Sequence, residues 1–383
     1  MHQGKAANSI IYHKILGDCA MLRHFKSVVA LGFAAQLALP VSQALAFDGW
    51  HLEESIGIAG KGAAWDYLSI EPSGKRLFIG HRKEGLQVFD LAGKKLVGTI
   101  AGTAAASSNG ATLIPEFDLG LSNNENGTLT PFTLSTLQPA EPIKLGEELD
   151  TSHYDAATKR VIVNMASGAD GTELVVLEAP SLKKLGTVKI PAKKPEHGEG
   201  DGQGNFYLAA RDAEVVYKID LKTLALTATY PTPGCGQTNS LALDHANKRI
   251  FVACRGNKST PPSFAVMDMD GGKVLYTAEI GGGNDSLVYA PGLKRLFMAN
   301  GVGAVLNVFE QVDANTYKPV EAVGTQSGVR ALAYDSTTQK LYSVIADGSA
   351  DFAKKITTSV SPFFCQHLPR QQFPGAGLQQ IDV

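Results

Sequence analysis

"LDHANKRIFVAC", Leu243 to Cys254, joins an apolar lead-in, a polar turn, a Lys-Arg pair and a short apolar run. The chain returns to this phrase as "IEPSGKRLFIG" (Ile70 to Gly80), "YDAATKRVIVN" (Tyr154 to Asn164), "YAPGLKRLFMAN" (Tyr289 to Asn300) and "YDSTTQKLYSV" (Tyr334 to Val344). Weaker copies are "GDGQGNFYLAA" (Gly200 to Ala210) and "PEFDLGLSN" (Pro115 to Asn123). The first apolar residue after each turn sets a ruler: Leu77, Leu119, Val161, Phe206, Ile250, Leu296 and Leu341. Its steps run from 42 to 46 residues. Short β-branched and aromatic runs at such a period, split by Gly, Asp and Asn turns, are the pattern of propeller blades rather than helical repeats.

Each unit fills out to four strands. In the fifth they are "NSLALD", "RIFVAC", "SFAVMDMD" and "KVLYTAEI". One small sheet cannot bury both faces, whereas packing against neighbours in a closed ring does so and leaves only short edges. The sequence therefore predicts an all-β, seven-bladed β-propeller with four-stranded antiparallel blades, spanning residues 47–350. The N-terminal "HLEESIGIAG" (His51 to Gly60) is expected to close the ring by completing blade seven. Residues 351–383 lack alternation and read as an irregular tail.

The units resemble the YVTN-type β-propeller repeat family, whose tetrad is approximated by "LFMAN" (Leu296 to Asn300) and "VIVNM" (Val161 to Met165). The resemblance covers residues 51 to 345. It implies an exported seven-bladed propeller, most of whose relatives have no assigned reaction. Related rings serve as binding scaffolds, lactonases, streptogramin lyases and quinoprotein dehydrogenase subunits.

The address agrees with export. Residues 21–46 have a basic lead (Arg23, Lys26), an apolar core too short to span a bilayer, and Ala44-Leu45-Ala46 as a cleavage site. They read as a signal peptide, with residues 1–20 an extension of doubtful authenticity and the mature chain periplasmic or secreted. Cleavage removes Lys5, Lys14, Arg23, Lys26 and Asp18, which leaves 31 basic and 36 acidic residues of the original 35 and 37. A net charge of 31 − 36 = −5 disfavours a general nucleic-acid binder. No later run is long enough to cross a membrane, and a monomer is expected. An oxidising compartment permits a Cys235–Cys254 disulfide, with two buried thiols as the alternative.

Propellers bind at the channel mouth, which receives the starts of inner strands and the ends of second strands. The starts supply Asp66, Glu116, Asp150, His153, Glu196, His197, Asn239, Asp285 and Arg330. The second-strand ends supply His81, Arg82, Asn123, Asn124, Arg211, Arg255 and Asn300. Such convergent polar groups at a concave mouth form a candidate site for an unknown small molecule or protein. The leading reading is a binding scaffold without a catalytic residue, cofactor or metal. The alternative is a hydrolase, lactonase or lyase with a divalent cation on Glu196, Asn239 and Asp285, where a metal would polarise a carbonyl and acidify water. A weaker alternative is single-stranded nucleic-acid binding through Arg82, Arg211, Arg255 and Arg330. The run Glu196-His197-Glu199-Asp201 is a poor local metal site, because Asp201 falls in the hairpin at the far end. The chain has no G-x-S-x-G, H-E-x-x-H or Walker loop.

Overall fold

The computed structural model describes residues 49–61, 64–165, 171–347, 357–360 and 363–366. The expectations placed on residues 1–46 lie outside this set, as does most of the segment after Asp351.

Six sheets are blades of four consecutive antiparallel strands. Their first strands are Trp65–Ile70, Ser108–Ile114, Leu149–Asp155, Pro195–Gly200, Thr238–Asp244 and Asn284–Ala290. We call these blades 1 to 6. The first strand of each blade packs beside the first strand of the next, so the first strands are the inner ones. Fourth strands are the edges: Lys95–Thr99 and Val274–Glu279 alternate between exposed and half-buried residues. Lysines at such edges oppose pairing with another chain.

The expected seven-bladed ring is corrected to six blades. Repeat seven begins with the hairpin Ala333–Asp335 and Lys340–Ser343, but the chain does not continue into a third and fourth strand of its own. Ala346–Asp347 turns away to pair with Thr357–Val360, which also pairs with Ile58–Lys61. The hairpin is instead extended by Phe363–Gln366, and that strand by Leu52–Ser55 near the other end of the chain. The resulting composite sheet stands between blades 6 and 1, its first strand packing against the inner strands of both. The physical reason lies in the length of the hairpin strands, three and four residues, which offer too few ladder bonds to propagate a meander.

The opening phrase is the inner hairpin, and the structure explains its polar centre. Asp244 ends the inner strand, and its carboxylate accepts the Asn247 amide N–H at 3.1 Å and Asn247 Nδ2 at 2.7 Å. Asp155 does the same for Thr158, and Asp335 for Thr337 and Thr338. The residue just before the second strand is left-handed: Lys159 (φ 54°), Lys248 (φ 54°), Lys294 (φ 51°) and Gln339 (φ 59°). An Asx-type turn followed by one left-handed residue reverses the chain and starts the next strand.

Burial follows the blade interfaces. Ile114, Leu121 and Leu129 of blade 2 cluster with Val161, Val163 and Val175 of blade 3. Similar clusters join blades 3 and 4, 4 and 5, 5 and 6, and 1 and 2. Two more join the hairpin of repeat seven to blade 6 and to blade 1, with Trp50 and Ile58 packed in. Between blades 1 and 2 the backbones meet so closely that a Cβ on Gly80 would lie 2.3 Å from the Asn109 carbonyl oxygen. Cys235 and Cys254 are joined by a disulfide, with Cα atoms 5.0 Å apart, and both are buried between blades 4 and 5. Among the described residues no helix is long and apolar enough to cross a membrane.

Candidate functional site at the channel mouth

Every blade carries the same irregularity. The ladder between the inner and second strand slips between Trp65 and Leu68, Ser108 and Gly110, Leu149 and Ser152, Pro195 and Gly198, Thr238 and Ser240, and Asn284 and Ser286. A bulge of this kind breaks the pairing and re-aims a side chain. The second residue of the inner strand sits in each bulge: Asp66, Asn109, Asp150, Glu196, Asn239 and Asp285. All six are polar.

A second tier comes from the residue that follows the second strand. Its amide donates to the carbonyl just ahead of the inner strand: Arg82 to Ala64 at 3.0 Å, Glu125 to Ser107, Arg211 to Lys194 and Arg255 to Gln237, each at 2.9 Å. This repeated bond holds the two tiers at the same end of the ring. Arg330, on the approach to the hairpin of repeat seven, completes the set.

The tiers interlock across blades. Arg82 pairs with Asp66, binds Asn109 Oδ1 at 2.8 Å and meets Glu125 at 3.0 Å. Asn109 Nδ2 donates at 2.7 Å to the Leu149 carbonyl of blade 3. Arg211 meets Glu196 at 2.8 Å. Arg255 pairs with Asp285 and donates to the Asn284 carbonyl at 2.7 Å. Arg330 also reaches Asp285, at 2.8 Å, and donates to the Trp65 carbonyl at 2.8 Å. Asn239 Nδ2 donates to Asp285 at 3.2 Å. Beside Arg330 opens a cavity of about 300 Å³, walled by Trp65, Ser327, Gly328, Ala331, Val344 and Ile345.

The carboxylates of four blades feel one another. Burial pushes Asp66 up to about 6, against the pull of Arg82 and Arg330. The Arg82–Asp66 pair is therefore asymmetric: Arg82 is held more firmly charged, while its partner moves toward neutrality. Burial costs a carboxylate more than it costs the diffuse guanidinium. Glu196 is pushed up to about 7, first by burial and opposed by Arg211. Asp150 is raised well above the carboxylate range by burial, then by Glu196 and Asp66. Unlike the others, it makes no hydrogen bond or ion pair among the described residues. Burial raises the Tyr67 hydroxyl, next to Asp66, and Asp150, Glu196, Asp66 and Asp285 raise it further. A Cβ on Gly110 would lie 2.9 Å from the Tyr67 Cβ. The Tyr67 hydroxyl has no partner among the described residues.

The remaining residues singled out in the sequence go elsewhere. His81 closes its strand fully buried, stacked edge-on against Trp65, and its Nδ1 faces the Lys83 and Glu84 amides at 3.2 and 3.1 Å. His153 and His197 pack against each other at 5.1 Å, and burial lowers both. Glu116 lies in the short 3-10 turn Pro115–Phe117 at the opposite end of blade 2, bonded to the Tyr154 hydroxyl. The inner strand of that blade is one strand earlier than "PEFDLGLSN" suggests, and Asn109 holds the mouth position. Asn123, Asn124 and Asn300 are buried at the ends of second strands. Tyr67, Asn109 and Glu125 join the site without having been singled out. Among the described residues no three His, Cys, Asp or Glu side chains are arranged to hold a metal ion.

No family model and no curated protein matches the chain. Solved structures do match its fold. Kuenenia stuttgartiensis hydrazine synthase is 13% identical, with a TM-score of 0.66 over 75% of this chain and 94% of that one. The WD40 repeats of RRP9 are 8% identical, TM-score 0.66, covering 82% of this chain and 100% of theirs. A chain of the mitotic checkpoint complex is 10% identical, TM-score 0.66, covering 89% and 98%. At such identities the likeness shows the β-propeller fold, with WD40-type neighbours, and nothing finer.

Proposed function

We propose that this chain is an exported binding scaffold of the YVTN type that takes a ligand or partner at the channel mouth, with no reaction of its own. The observation that carries the reading is the set of six bulges, each turning a polar residue toward one mouth. Bulges re-aim side chains, and convergent polar groups at a concave mouth are what a ligand site uses. The solved rings it resembles include WD40 repeats and a member of a checkpoint complex, consistent with a surface built for partners. Export rests on the signal-like residues 21–46, and the mature protein would be periplasmic or secreted.

The metal-dependent alternative finds less support. Glu196 is held by Arg211, and Asp285 by Arg255 and Arg330. A cation would have to displace these guanidiniums. The single-stranded nucleic-acid reading meets the same obstacle from the other side, since Arg82, Arg211, Arg255 and Arg330 are each already paired to a carboxylate.

A ligand screen by thermal shift, followed by Arg211→Gln, Asn239→Ala and Asp150→Asn, tests the reading. Hits are expected to lose affinity in the mouth variants and to keep it in Asp313→Asn, far from the mouth. Hits indifferent to every mouth variant would refute it.

A further inference from the structure

The mouth looks basic by its residue list, with four arginines, and an anionic ligand is the easy conclusion. The pairing within the mouth points the other way. Every guanidinium is engaged: Arg82 with Asp66 and Glu125, Arg211 with Glu196, and Arg255 and Arg330 with Asp285, while Asp150 lies outside these pairs. Among the described residues the polar groups left unsatisfied here include acceptors, beside the buried Trp65 Nε1 donor in the cavity wall. Asp150 has no donor among the described residues. The Oδ1 of Asn239 is buried, 1% exposed for the residue, and also lacks a donor. The Tyr67 hydroxyl is unpartnered and can accept as well as donate.

The repeat explains why Asp150 is the one left over. The residue after the second strand is arginine in blades 1, 4 and 5, glutamate in blade 2 and glycine in blade 6, where Arg255 of blade 5 and Arg330 reach Asp285 instead. In blade 3 the strand ends at Met165 and the next residue is Ala166. No cation is supplied at that position of the sequence, although the inner strand supplies its carboxylate. The pairing network runs from Asn239 through Asp285 and Arg330 to Trp65, and from Arg82 through Asn109 to the Leu149 carbonyl. It stops at Asp150.

Resting on the binding reading above, we propose that the mouth receives an ammonium or guanidinium group against Asp150, with the Tyr67 hydroxyl as a second contact. An isolated carboxylate in a desolvated mouth is costly unless a cation joins it. The surrounding arginines are paired to the other carboxylates, and among the described residues none lies within ion-pair distance of this one. A free amine and a basic side chain of a partner share this chemistry.

The test titrates the purified chain by calorimetry with putrescine and with an acetylated Gly-Lys-Gly amide. Inorganic phosphate, oligothymidylate and the same peptide with norleucine for lysine serve as comparators. Saturable binding of both cationic probes, and none of the norleucine peptide, is expected. Asp150→Asn should weaken it by about tenfold or more, the cost of one charged hydrogen bond, and Tyr67→Phe by less. Asp313→Asn should change nothing. A peptide that binds more tightly than putrescine indicates a partner segment, and equal affinity a small amine; both sustain the proposal. Unchanged putrescine affinity in a folded Asp150→Asn chain overturns it. So does phosphate or oligothymidylate binding that Arg211→Gln abolishes while amines stay inert, an outcome that leaves the mouth itself as a binding site. If no probe of either sign responds to any mouth variant, this inference and the binding reading fall together.

Discussion

Asp150 and Asp285 occupy the same place in their blades, the second residue of a bulged inner strand, and their electrostatic fates are opposite. Asp285 is clasped by Arg255 and Arg330. Asp150 has no ion pair or hydrogen bond among the described residues; burial, then Glu196 and Asp66, raise its carboxyl, and Arg82 offsets them only in part.

Asp150→Asn should therefore stabilise the chain. A carboxyl raised above its unfolded value contributes stability that is complete below the unfolded value and is lost as pH rises through the folded one. The amide cannot ionise and escapes that loss. The variant is expected to melt higher than the parent at pH 8, with the gap closing near pH 4. Equal melting temperatures at pH 8 would show that the carboxylate is not desolvated. A residue kept at a cost to stability marks a function elsewhere in the balance.

Glu196 adds a coupled test. With its carboxyl pushed up to about 7, Glu196→Gln should match the parent at pH 5 and exceed it in stability at pH 8. Arg211→Gln removes the one guanidinium that holds it. That variant should lose about 3 kcal/mol at pH 8, where a buried charge is stranded, and less at pH 5, where the carboxyl is already neutral. Denaturant unfolding at the two pH values separates the cases. A loss independent of pH would mean that Arg211 contributes packing alone.

The His153–His197 pair predicts the opposite limb. Burial lowers both rings; His197 lowers His153 further, while Glu199 offsets part of the fall at His197. Their stability contribution is present above the unfolded histidine value and is lost as pH falls below it. His153→Gln should flatten the decline in melting temperature between pH 6.5 and 5. Acid stability identical to the parent would show that the ring is protonated without penalty.

Much of this site was readable from the repeat, and the failures have physical causes. Asp66, Asp150, Glu196, Asn239 and Asp285 could be found because a ruler on second strands locates the starts of inner strands. Blade 2 keeps the ruler, since Leu119 opens its second strand, but "PEFDLGLSN" lacks the Lys-Arg turn that marks the hairpin, so Glu116 reads as a strand start when it sits in the far turn and Asn109 holds the mouth position. Tyr67 was hidden because a bulge shifts which side of the strand faces the hub, and alternation alone cannot reveal a bulge. The count of seven assumed that repeat seven would continue like the rest. Its short strands and the turn at Ala346 send the chain into a composite sheet instead.

The Cys235–Cys254 disulfide closes a loop between residues 19 apart at the interface of blades 4 and 5. A loop of that size contributes about 3 kcal/mol by restricting the unfolded chain. Replacing both cysteines by serine should lower the melting temperature measurably without moving the mouth. Identical melting in reductant and oxidant would argue that the bond does not form in solution.

The account depends most on the claim that residues far apart in sequence meet at one hub. A double-mutant cycle on Arg330→Gln and Asp285→Asn, read by denaturant unfolding, measures that meeting directly. The structure predicts a coupling of about 1 kcal/mol or more, as for a partly buried ion pair. Additive effects of the two substitutions would contradict it, for then Arg330 and Asp285 do not touch and the mouth is not assembled as described.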